Sequence, residues 1–444
     1  MSQKEIKIGL LGGGTVGQGL INIIETESNR ICSRTGLKLT IEKVADRSYL
    51  KKPILKQYKP TDSIDEVIHD PNIDIVVELI GGQEPAGTAI LTALRLGKSV
   101  VTANKALLAA RSKEIFDAVL EGQKKNANTA IGFEAAVGGA LPLIRNMRLI
   151  WASGGIDRMV GILNGTCNFI ISRMEDDNME YAAALKLAQQ KGFAEADPTF
   201  DVSGRDTAQK LAILSMLAFD VSVSDTDIQV EGIESFQKVD HDFARKMGRS
   251  IRLLAIAKRQ DDRLLLRVHP AMIPKSHLLS DVKNEFNALA LDNRYSGPSL
   301  IVGSGAGALP TAAAVLSDIV AIGTGSVGHW VGDLKTAKLI DDAQYRFYIR
   351  FRTVDRPGVL ARIASVLAEF QISIATMHQE MQESDNQKIE NVEPVDVVIV
   401  THNANESAVR SAIAKIDNDS NATNSIILAP SVIIRLEDTL DASY

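Results

Sequence analysis

The sequence of 444 residues predicts an α/β protein of three domains. Three observations support this prediction. The first third alternates short apolar runs with helical patterns and opens with a glycine-rich turn after its first strand. The middle contains a strongly apolar helix that follows an acidic loop. The last hundred residues change to alternating strands separated by two helices. One hydrophobic core seldom extends over so long a chain, so several domains are expected.

Composition narrows the class of protein. Hydrophobic residues make up 45% of the chain and charged residues 23%, which is typical of globular proteins. The net charge of −6 argues against a nucleic-acid-binding surface. The N-terminus lacks a signal-peptide core, and no apolar run approaches the length of a membrane span. The two cysteines, Cys32 and Cys167, lie far apart, as expected in a reducing compartment. We therefore expect a cytoplasmic protein that binds neither nucleic acid nor membrane.

The first domain, predicted over residues 1–133, begins with a dinucleotide-binding motif. An apolar strand at residues 6–11 runs into G-x-G-x-x-G. The first glycine allows a tight turn, the second lets a pyrophosphate approach, and the third lets the following helix pack closely. The N-terminal amides of that helix face the phosphates. This pattern predicts a Rossmann-type domain that binds NADP or NAD through Gly12, Gly14, Thr15, Val16 and Gly17.

The sequence leaves the choice of nucleotide open. The second predicted strand ends at Asp46 and Arg47. An acid at this position favours the free ribose hydroxyls of NAD, whereas a base favours the 2′-phosphate of NADP. Both are present, and Lys51 and Lys52 follow closely.

Two further segments contribute candidate cofactor residues. The strand at residues 99–102 brings Thr102 and Lys105 to the carboxyl edge of the sheet, where open α/β sheets place their ligands. A second glycine-rich turn, with Gly305 as the candidate, precedes a long apolar helix. We expect residues 303–335 to return to the first domain and close over the cofactor.

The stretch from 188 to 210 carries the strongest chemical pattern. Gly192 ends a helix, an acidic loop contains Glu195 and Asp201, and a new helix starts near residue 205. Asp206 and Lys210 are four residues apart and project from one face of that helix. The apolar run 211–218 predicts that the helix is buried, so the proton affinities of the pair can be tuned. A surface ion pair is the alternative interpretation.

This stretch resembles the signature of the homoserine dehydrogenases, with every fixed position filled from Ala188 through Asp197-Pro198 to Lys210. The runs GKSVVTANKALLA and GILNGTCNFI resemble the same family. The resemblance implies NAD(P)-dependent interconversion of L-homoserine and L-aspartate 4-semialdehyde, in the biosynthesis of threonine, methionine and isoleucine. It also implies a homodimer or homotetramer, with residues 134–302 forming an α+β domain for substrate binding, catalysis and dimerisation.

The resemblance further implies individual roles. Lys210 and Asp206 would be catalytic, Lys105 and Gly305 would lie near the nicotinamide, and Gly192 would be a further cofactor-binding residue. The substrate would be bound by Glu195, Asp206, Thr166 and Asp201. A monovalent cation, sodium or potassium, would lie at Glu134, Val137, Gly139 and Leu141, since carboxylate and carbonyl oxygens suit a hard cation.

The segment 345–440 is predicted to be a separate module. Its strands and helices follow the order βαββαβ, and the first turn reads Asp355-Arg356-Pro357-Gly358-Val359-Leu360. This pattern resembles an ACT domain, which implies regulation by a small amino acid, with L-threonine as the expected effector. Asp355, Gly358, Val359 and Leu360 are the candidate effector residues, because a helix start presents free amides. A module that only dimerises is the alternative.

Two other functions remain open at this point. One is another NAD(P)-dependent amino-acid-semialdehyde oxidoreductase; an aldehyde-oxidising enzyme of this kind would need a nucleophilic cysteine. Cys167 is the only cysteine near the predicted site. The other is an amino-acid-sensing protein whose nucleotide fold is inert.

Overall fold

The structure is a computed structural model that describes residues 3–305, 307–327, 334–379, 394–418 and 426–438. Within these residues, no helix combines the length and the apolar character needed to cross a membrane. The predicted α/β class is confirmed, with one parallel sheet and one large mixed sheet.

The first domain contains a six-stranded parallel sheet in the order β3-β2-β1-β4-β5-β6. Its strands are β1 (Lys4–Leu11), β2 (Leu37–Ala45), β3 (Pro60–Thr61), β4 (Ile75–Glu78), β5 (Ser99–Thr102) and β6 (Ile131–Gly132). Its helices are α1 (Thr15–Thr35), α2 (Ile64–Ile68), α3 (Ala86–Arg95) and α4 (Lys105–Gln123). The strand order reverses direction at β1, so a crevice opens at the carboxyl ends of β1 and β4.

The middle of the chain forms five long strands with helices packed against them. The elements are α5 (Leu143–Ala152), β7 (Ile156–Ile162), α6 (Gly165–Asp176), α7 (Tyr181–Gln190), α8 (Thr199–Val202), α9 (Arg205–Phe219), β8 (Val221–Ser222), β9 (Gln229–Val230), α10 (Lys238–Lys246), β10 (Arg249–Gln260), β11 (Arg263–Pro274), β12 (Phe286–Asn293) and β13 (Gly297–Ser304). The strands run in the order β13-β12-β7-β10-β11. Helix α9 is buried along nearly its whole length, as its apolar run predicts.

The chain then returns to the first domain through α11 (Ala308–Gly323), which packs on α1. A Cβ atom on Gly19 would lie 3.3 Å from the Cβ of Ala312, so the two helices approach closely. The short strand β14 (Lys335–Thr336) then pairs with β8.

The C-terminal segment has the predicted βαββαβ order, and β18 is an added short strand. Its elements are β15 (Gln344–Val354), α12 (Val359–Glu369), β16 (Ile374–Gln379), β17 (Pro394–Thr401), β18 (Ala404–Asn405), α13 (Glu406–Asn418) and β19 (Ile427–Leu436). Alternate residues of β15, including Phe347 and Phe351, pack in one cluster with residues of α12 and α13.

The C-terminal segment is also joined to the middle domain, which the sequence did not predict. Strand β19 pairs in parallel with β11, through Ala271 opposite Arg435, so the two domains share an eleven-stranded sheet. The second face of the C-terminal sheet packs against α10. There, Asp240 is fully buried and accepts hydrogen bonds from Tyr348 Oη (2.7 Å) and from Arg350 Nε (2.7 Å) and Nη2 (3.1 Å). Sequence periodicity gave no sign of this joint, because strand pairing between distant segments is not a local property.

Candidate active site

The glycine-rich turn between β1 and α1 has the geometry that a pyrophosphate requires. Gly12 has a φ of 101°, and a Cβ atom there would lie 2.8 Å from the carbonyl of Leu79. A Cβ atom on Gly17 would lie 2.2 Å from Gly12 O, so the helix can pack against the turn only with glycine. Gly14 precedes α1 and faces open space. The first turn of α1, with Thr15 and Val16, therefore presents free amides to the crevice.

A cleft of about 640 Å³ extends from this turn to the end of β2, where Asp46, Arg47 and Lys52 line it. Asp46 accepts hydrogen bonds from the amides of Gly13 and Ser48 (both 2.8 Å) and pairs with Lys52 Nζ (2.6 Å). Burial opposes ionisation of Asp46, but Lys52 and Ser48 outweigh it and lower its pKa to about 2. Asp46 is therefore ionised and already paired, whereas Arg47 is exposed.

At the end of β4, a buried acid organises the loop beside the crevice. Glu78 accepts hydrogen bonds from Thr102 Oγ1 (2.6 Å) and from the amides of Ile80 (2.7 Å) and Gly81 (2.8 Å). The Thr102 hydroxyl thus donates its hydrogen bond to a residue of the neighbouring strand in the same sheet. The sequence analysis missed Glu78, because nothing in its local pattern separates it from other strand residues.

The centre of the site is the Asp206 carboxylate, which lies between two lysines. Lys210 Nζ is 2.8 Å from Asp206 Oδ2, and Lys105 Nζ is 3.2 Å from Oδ1. Burial raises the pKa of Asp206, but the charges of Lys210 and Lys105 and the hydrogen bonds around it lower the pKa to about 2. Asp206 therefore stays ionised, and the first domain meets α9 at this carboxylate.

The carbonyl of Leu163, at the end of β7, is a second anchor in this cluster. It accepts hydrogen bonds from Lys210 Nζ (2.6 Å) and from Asn287 Nδ2 (3.0 Å). Asn287 also packs closely against Gly305, because a Cβ atom at Gly305 would lie 2.1 Å from the side-chain amide nitrogen of Asn287. The sequence analysis missed both Leu163 and Asn287. A backbone carbonyl carries no sequence signal, and Asn287 comes from a distant strand.

Asn164 connects the remaining acids. Its Nδ2 donates to Asp201 Oδ1 (2.7 Å) and Asp206 Oδ2 (2.8 Å), and its Oδ1 caps α6. Thr166 Oγ1 donates to Phe193 O (2.6 Å) and lies 3.3 Å from Asp201 Oδ2. Burial raises the pKa of Asp201. The structure therefore brings Thr166, Asp201 and Asp206 together in one polar cluster.

Cys167 lies beside this cluster but is not suited to act as a nucleophile. Its side chain is fully buried, and Sγ donates to Asp201 O at 3.2 Å. Burial, followed by the charges of Asp201 and Asp206, raises the pKa of the thiol well above its ordinary value. A buried, protonated thiol does not attack an aldehyde.

Two predicted residues lie outside the cluster. Glu195 is exposed, and within the described chain no hydrogen bond or ion pair joins its carboxylate to Asp206 or Lys210. Gly192 follows α7 with a φ of 76° and is also exposed. Their roles at substrate and cofactor stay predictions.

The predicted cation residues lie between β6 and α5. The Glu134 carboxylate accepts hydrogen bonds from the amides of Ile144 (2.8 Å) and Arg145 (2.9 Å), and Asp318 accepts from the amide of Glu134 (2.8 Å). Burial and then the charge of Asp318 raise the pKa of Glu134 to about 7. Gly139 has a φ of 57°, as a tight turn requires. A buried acid pair beside turn carbonyls, which include those of Val137 and Leu141, fits a cation chemically.

The candidate effector turn lies at the end of β15. Gly358 has a φ of 92° and precedes α12, and a Cβ atom there would meet no neighbour within 4 Å. Asp355 is exposed, while Val359 is buried under the turn and Leu360 is half-buried. The first amides of α12 therefore adjoin open space, as an amino-acid carboxylate would require.

Family models match almost the whole chain in three consecutive parts. Residues 12–127 match the model described as "Homoserine dehydrogenase, NAD binding domain". Residues 142–320 match "Homoserine dehydrogenase", and residues 347–418 match "ACT domain".

Individual proteins that match over nine-tenths or more of their length agree with these matches. The chain is 37% identical to a homoserine dehydrogenase of Bacillus subtilis, over 91% of this chain and 93% of that protein. It is 35% identical to a homoserine dehydrogenase of Neisseria gonorrhoeae, over 99% and 100%. A crystal structure of a homoserine dehydrogenase from Thiobacillus denitrificans superposes with a TM-score of 0.86 at 38% identity, covering 98% of this chain and 99% of that one.

Proposed function

The chain belongs to the homoserine dehydrogenases, and we propose that the Lys210 ammonium transfers the proton in its reaction. The enzyme interconverts L-homoserine and L-aspartate 4-semialdehyde with NAD or NADP. The match to homoserine dehydrogenases along the chain argues against both alternative functions that the sequence had left open. Burial of the Cys167 thiol agrees with this outcome, since an aldehyde-oxidising enzyme would need a free thiolate.

The observation that carries the proposal is the anchoring of Lys210. Two acceptors, Asp206 Oδ2 at 2.8 Å and Leu163 O at 2.6 Å, hold its ammonium. An ammonium has three N–H donors, so one remains for the substrate oxygen. Ionised Asp206 orients the Lys210 ammonium, and in carbonyl reduction the carbonyl oxygen takes a proton from Nζ. In the direction of alcohol oxidation, neutral Lys210 accepts that proton. The nicotinamide, when bound, supplies or accepts the hydride.

The polar cluster around Lys210 supports binding of an amino-acid substrate. Asp201 and Asp206 are held by Asn164 and can pair with the substrate ammonium together with Thr166. We assign a further part of ammonium binding to Glu195, which lies on the loop that precedes α8. Lys105, Gly192 and Gly305 are assigned to the nicotinamide side of the site, and the turn at Gly12, Gly14 and Gly17 to the pyrophosphate.

A monovalent cation, sodium or potassium, is proposed at Glu134, Val137, Gly139 and Leu141. The support is the buried pair of Glu134 and Asp318, whose negative charge a cation would offset. The cation would brace the link between β6 and α5, and no step of the reaction passes through it.

We also make proposals about the effector, the number of subunits and the cellular location. The ACT domain supports an amino-acid effector, which we take to be L-threonine bound at the turn of Asp355 to Leu360. We also propose a homodimer or homotetramer. A cytoplasmic location is proposed from the two distant cysteines alone.

The proton-transfer role is tested by Lys210→Met, which keeps the length and apolar stem of the side chain. Positioned acid–base catalysis contributes roughly 10²–10⁴-fold, so turnover should fall by about that factor. Reduction of aspartate semialdehyde would be followed by NADPH or NADH absorbance, with cofactor binding measured separately by fluorescence. Lys191→Met, at an exposed lysine after α7, is the matched control. Near-normal turnover in Lys210→Met would overturn the assignment.

A further inference from the structure

We propose that Glu231 is a positioning residue for the active-site segment 199–206, and that Arg435 of the ACT domain holds it in place. The proposal rests on the proposed roles of Asp201 and Asp206. According to this proposal, the ACT domain helps to hold the active-site segment in place even when no inhibitor is bound. A chain of three contacts leads from Arg435 to those two acids.

The first contact is a partly buried cluster of ion pairs between the domains. Arg435 lies on β19 with 1% of its surface exposed. Its guanidinium donates to both oxygens of Glu231, with Nη2–Oε1 at 2.6 Å and Nη1–Oε2 at 3.0 Å. It also pairs with Glu406, the first residue of α13, and Arg410 contacts both acids. Parallel donation from an arginine fork fixes the direction of the carboxylate as well as its distance.

The second contact joins the backbone next to Glu231 to α8. The Glu231 amide donates to Val268 O on β11 (2.8 Å), and the Ile233 amide donates to Val202 O (2.9 Å). Between them, a Cβ atom on Gly232 would lie 2.4 Å from Val202 O. The segment 231–233 is therefore fixed between the shared sheet and the last residue of α8.

The third contact reaches the reacting cluster. Gly204, the N-cap residue of α9, has a φ of 82°, and a Cβ atom there would lie 2.9 Å from Val230 Cγ1 and 3.3 Å from Glu231 O. Asp206 is two residues further on, and Asp201 lies within α8. Both acids bind the Asn164 side chain. The N-terminus of the catalytic helix thus rests on the segment that Arg435 holds.

Catalysis is sensitive to this kind of support. A displacement of about 1 Å at reacting groups can cost about 100-fold in rate, even when the altered residue is remote. Losing the Arg435 fork leaves the Glu231 carboxylate paired with Arg410 alone, so the backbone of 231–233, on which α8 and the start of α9 rest, loses one of its anchors. We infer that a change of state in the ACT domain reaches Asp201 and Asp206 by this route. The coupling between the two domains is measured directly, as a change in kcat.

The test uses Glu231→Gln and Arg435→Lys in the full-length enzyme. Glu231→Gln keeps the shape and removes the charge, while Arg435→Lys keeps the charge and removes the fork. Each should lower kcat about tenfold or more and raise the KM for homoserine, with the KM for the nucleotide unchanged. The double variant should be no worse than the more impaired single variant, because both remove one contact.

Arg350→Lys is the matched control, because Arg350 forms a buried ion pair between the domains, with Asp240. It should lower the melting temperature while leaving kcat within about twofold. The proposal is overturned if Glu231→Gln and Arg435→Lys also lose only thermal stability, or if Arg350→Lys lowers kcat as much as they do. If Glu231→Gln does not fold, Arg435→Lys alone decides the matter by the same kcat comparison. An active Lys210→Met variant would instead overturn the proton-transfer role and leave this comparison intact.

Discussion

At the scale of single residues, the site works through charges that offset one another. Asp206 holds two lysines and stays ionised because they lower its pKa to about 2. An ionised Asp206 carries no proton to donate, so proton transfer to the substrate oxygen falls to the lysine. Asp46 is likewise ionised through Lys52 at the ribose end of the cleft. In both places one acid sets the geometry of the surrounding donors.

The exposed loop acid Glu195 offers a test of substrate recognition. Glu195→Gln should raise the KM for homoserine roughly tenfold, since a hydrogen bond to a charged group is worth about 1.5–3 kcal/mol. The KM for the nucleotide should not change. Asp197→Asn is the control, because Asp197 is exposed on the same loop and instead caps Thr199 at 2.6 Å. Equal increases in both Michaelis constants would mean that Glu195 shapes the loop rather than binding substrate.

Nucleotide preference depends on the residues after β2. Lys52 is engaged by Asp46, so exposed Arg47 is the cation expected to meet a 2′-phosphate. Arg47→Ala should raise the KM for NADPH about tenfold and leave the KM for NADH nearly unchanged. Lys51→Ala, at an exposed neighbour, is the control. A similar change in both constants would exclude Arg47 as the residue that reads the phosphate.

At the scale of elements, the chain specifies its nucleotide turn and its catalytic helix locally. The glycines that follow β1 and the apolar run of α9 depend on periodicity and backbone freedom, and both elements lie where the sequence places them. The Leu163 carbonyl, Asn287 and Glu78 were not foreseen. They enter the site through pairing between distant strands and through a backbone atom, neither of which a local pattern encodes. The joint between β11 and β19 escaped prediction for the same reason.

The start of α12 allows a test of effector binding at a single turn. Gly358→Asp places a carboxylate at the N-cap, where it can itself accept from the first amides of the helix. It would then compete with the carboxylate of threonine. The threonine concentration for half inhibition should rise about tenfold, while turnover without threonine stays the same. Gly358→Asn keeps the shape without the charge and should have a smaller effect. If full-length enzyme ignores millimolar threonine, the effector assignment fails.

At the scale of the whole molecule, the ACT domain is joined to the middle domain through polar groups as well as through the sheet. His269 on β11 and Glu437 after β19 are both buried, with Nε2 and Oε1 3.8 Å apart. Burial, followed by the charge of Arg435, lowers the pKa of His269 to about 3, and burial raises that of Glu437 to about 7. Both side chains are therefore neutral in the folded protein near pH 6, so the joint has no net charge from this pair.

These two shifts predict opposite dependences of stability on pH. Glu437 holds its proton in the folded chain up to about pH 7 and in the unfolded chain only to about 4.5, so its contribution is present below pH 4.5 and is lost as pH rises to 7. His269 binds a proton more readily when unfolded, so stability increases as pH rises from about 3 to 6.5. The carboxyl of Glu437 therefore masks part of the His269 effect between pH 4.5 and 6.5.

Replacing Glu437 should reveal that balance. Glu437→Gln removes the stabilising contribution of Glu437, which the parent loses as pH rises. The free energy of unfolding of the variant, relative to that of the parent, should therefore increase between pH 5 and pH 8. The increase is at most ~3 kcal/mol, at 1.36 kcal/mol per pKa unit. Melting temperatures measured at several pH values would show the increase. Asp438→Asn is the control, because Asp438 is more exposed and pairs with Arg249 and Arg346, so its effect should be nearly constant over this range. A constant difference between Glu437→Gln and the parent would mean that Glu437 is already ionised in the folded joint, which would then carry a negative charge beside Arg435.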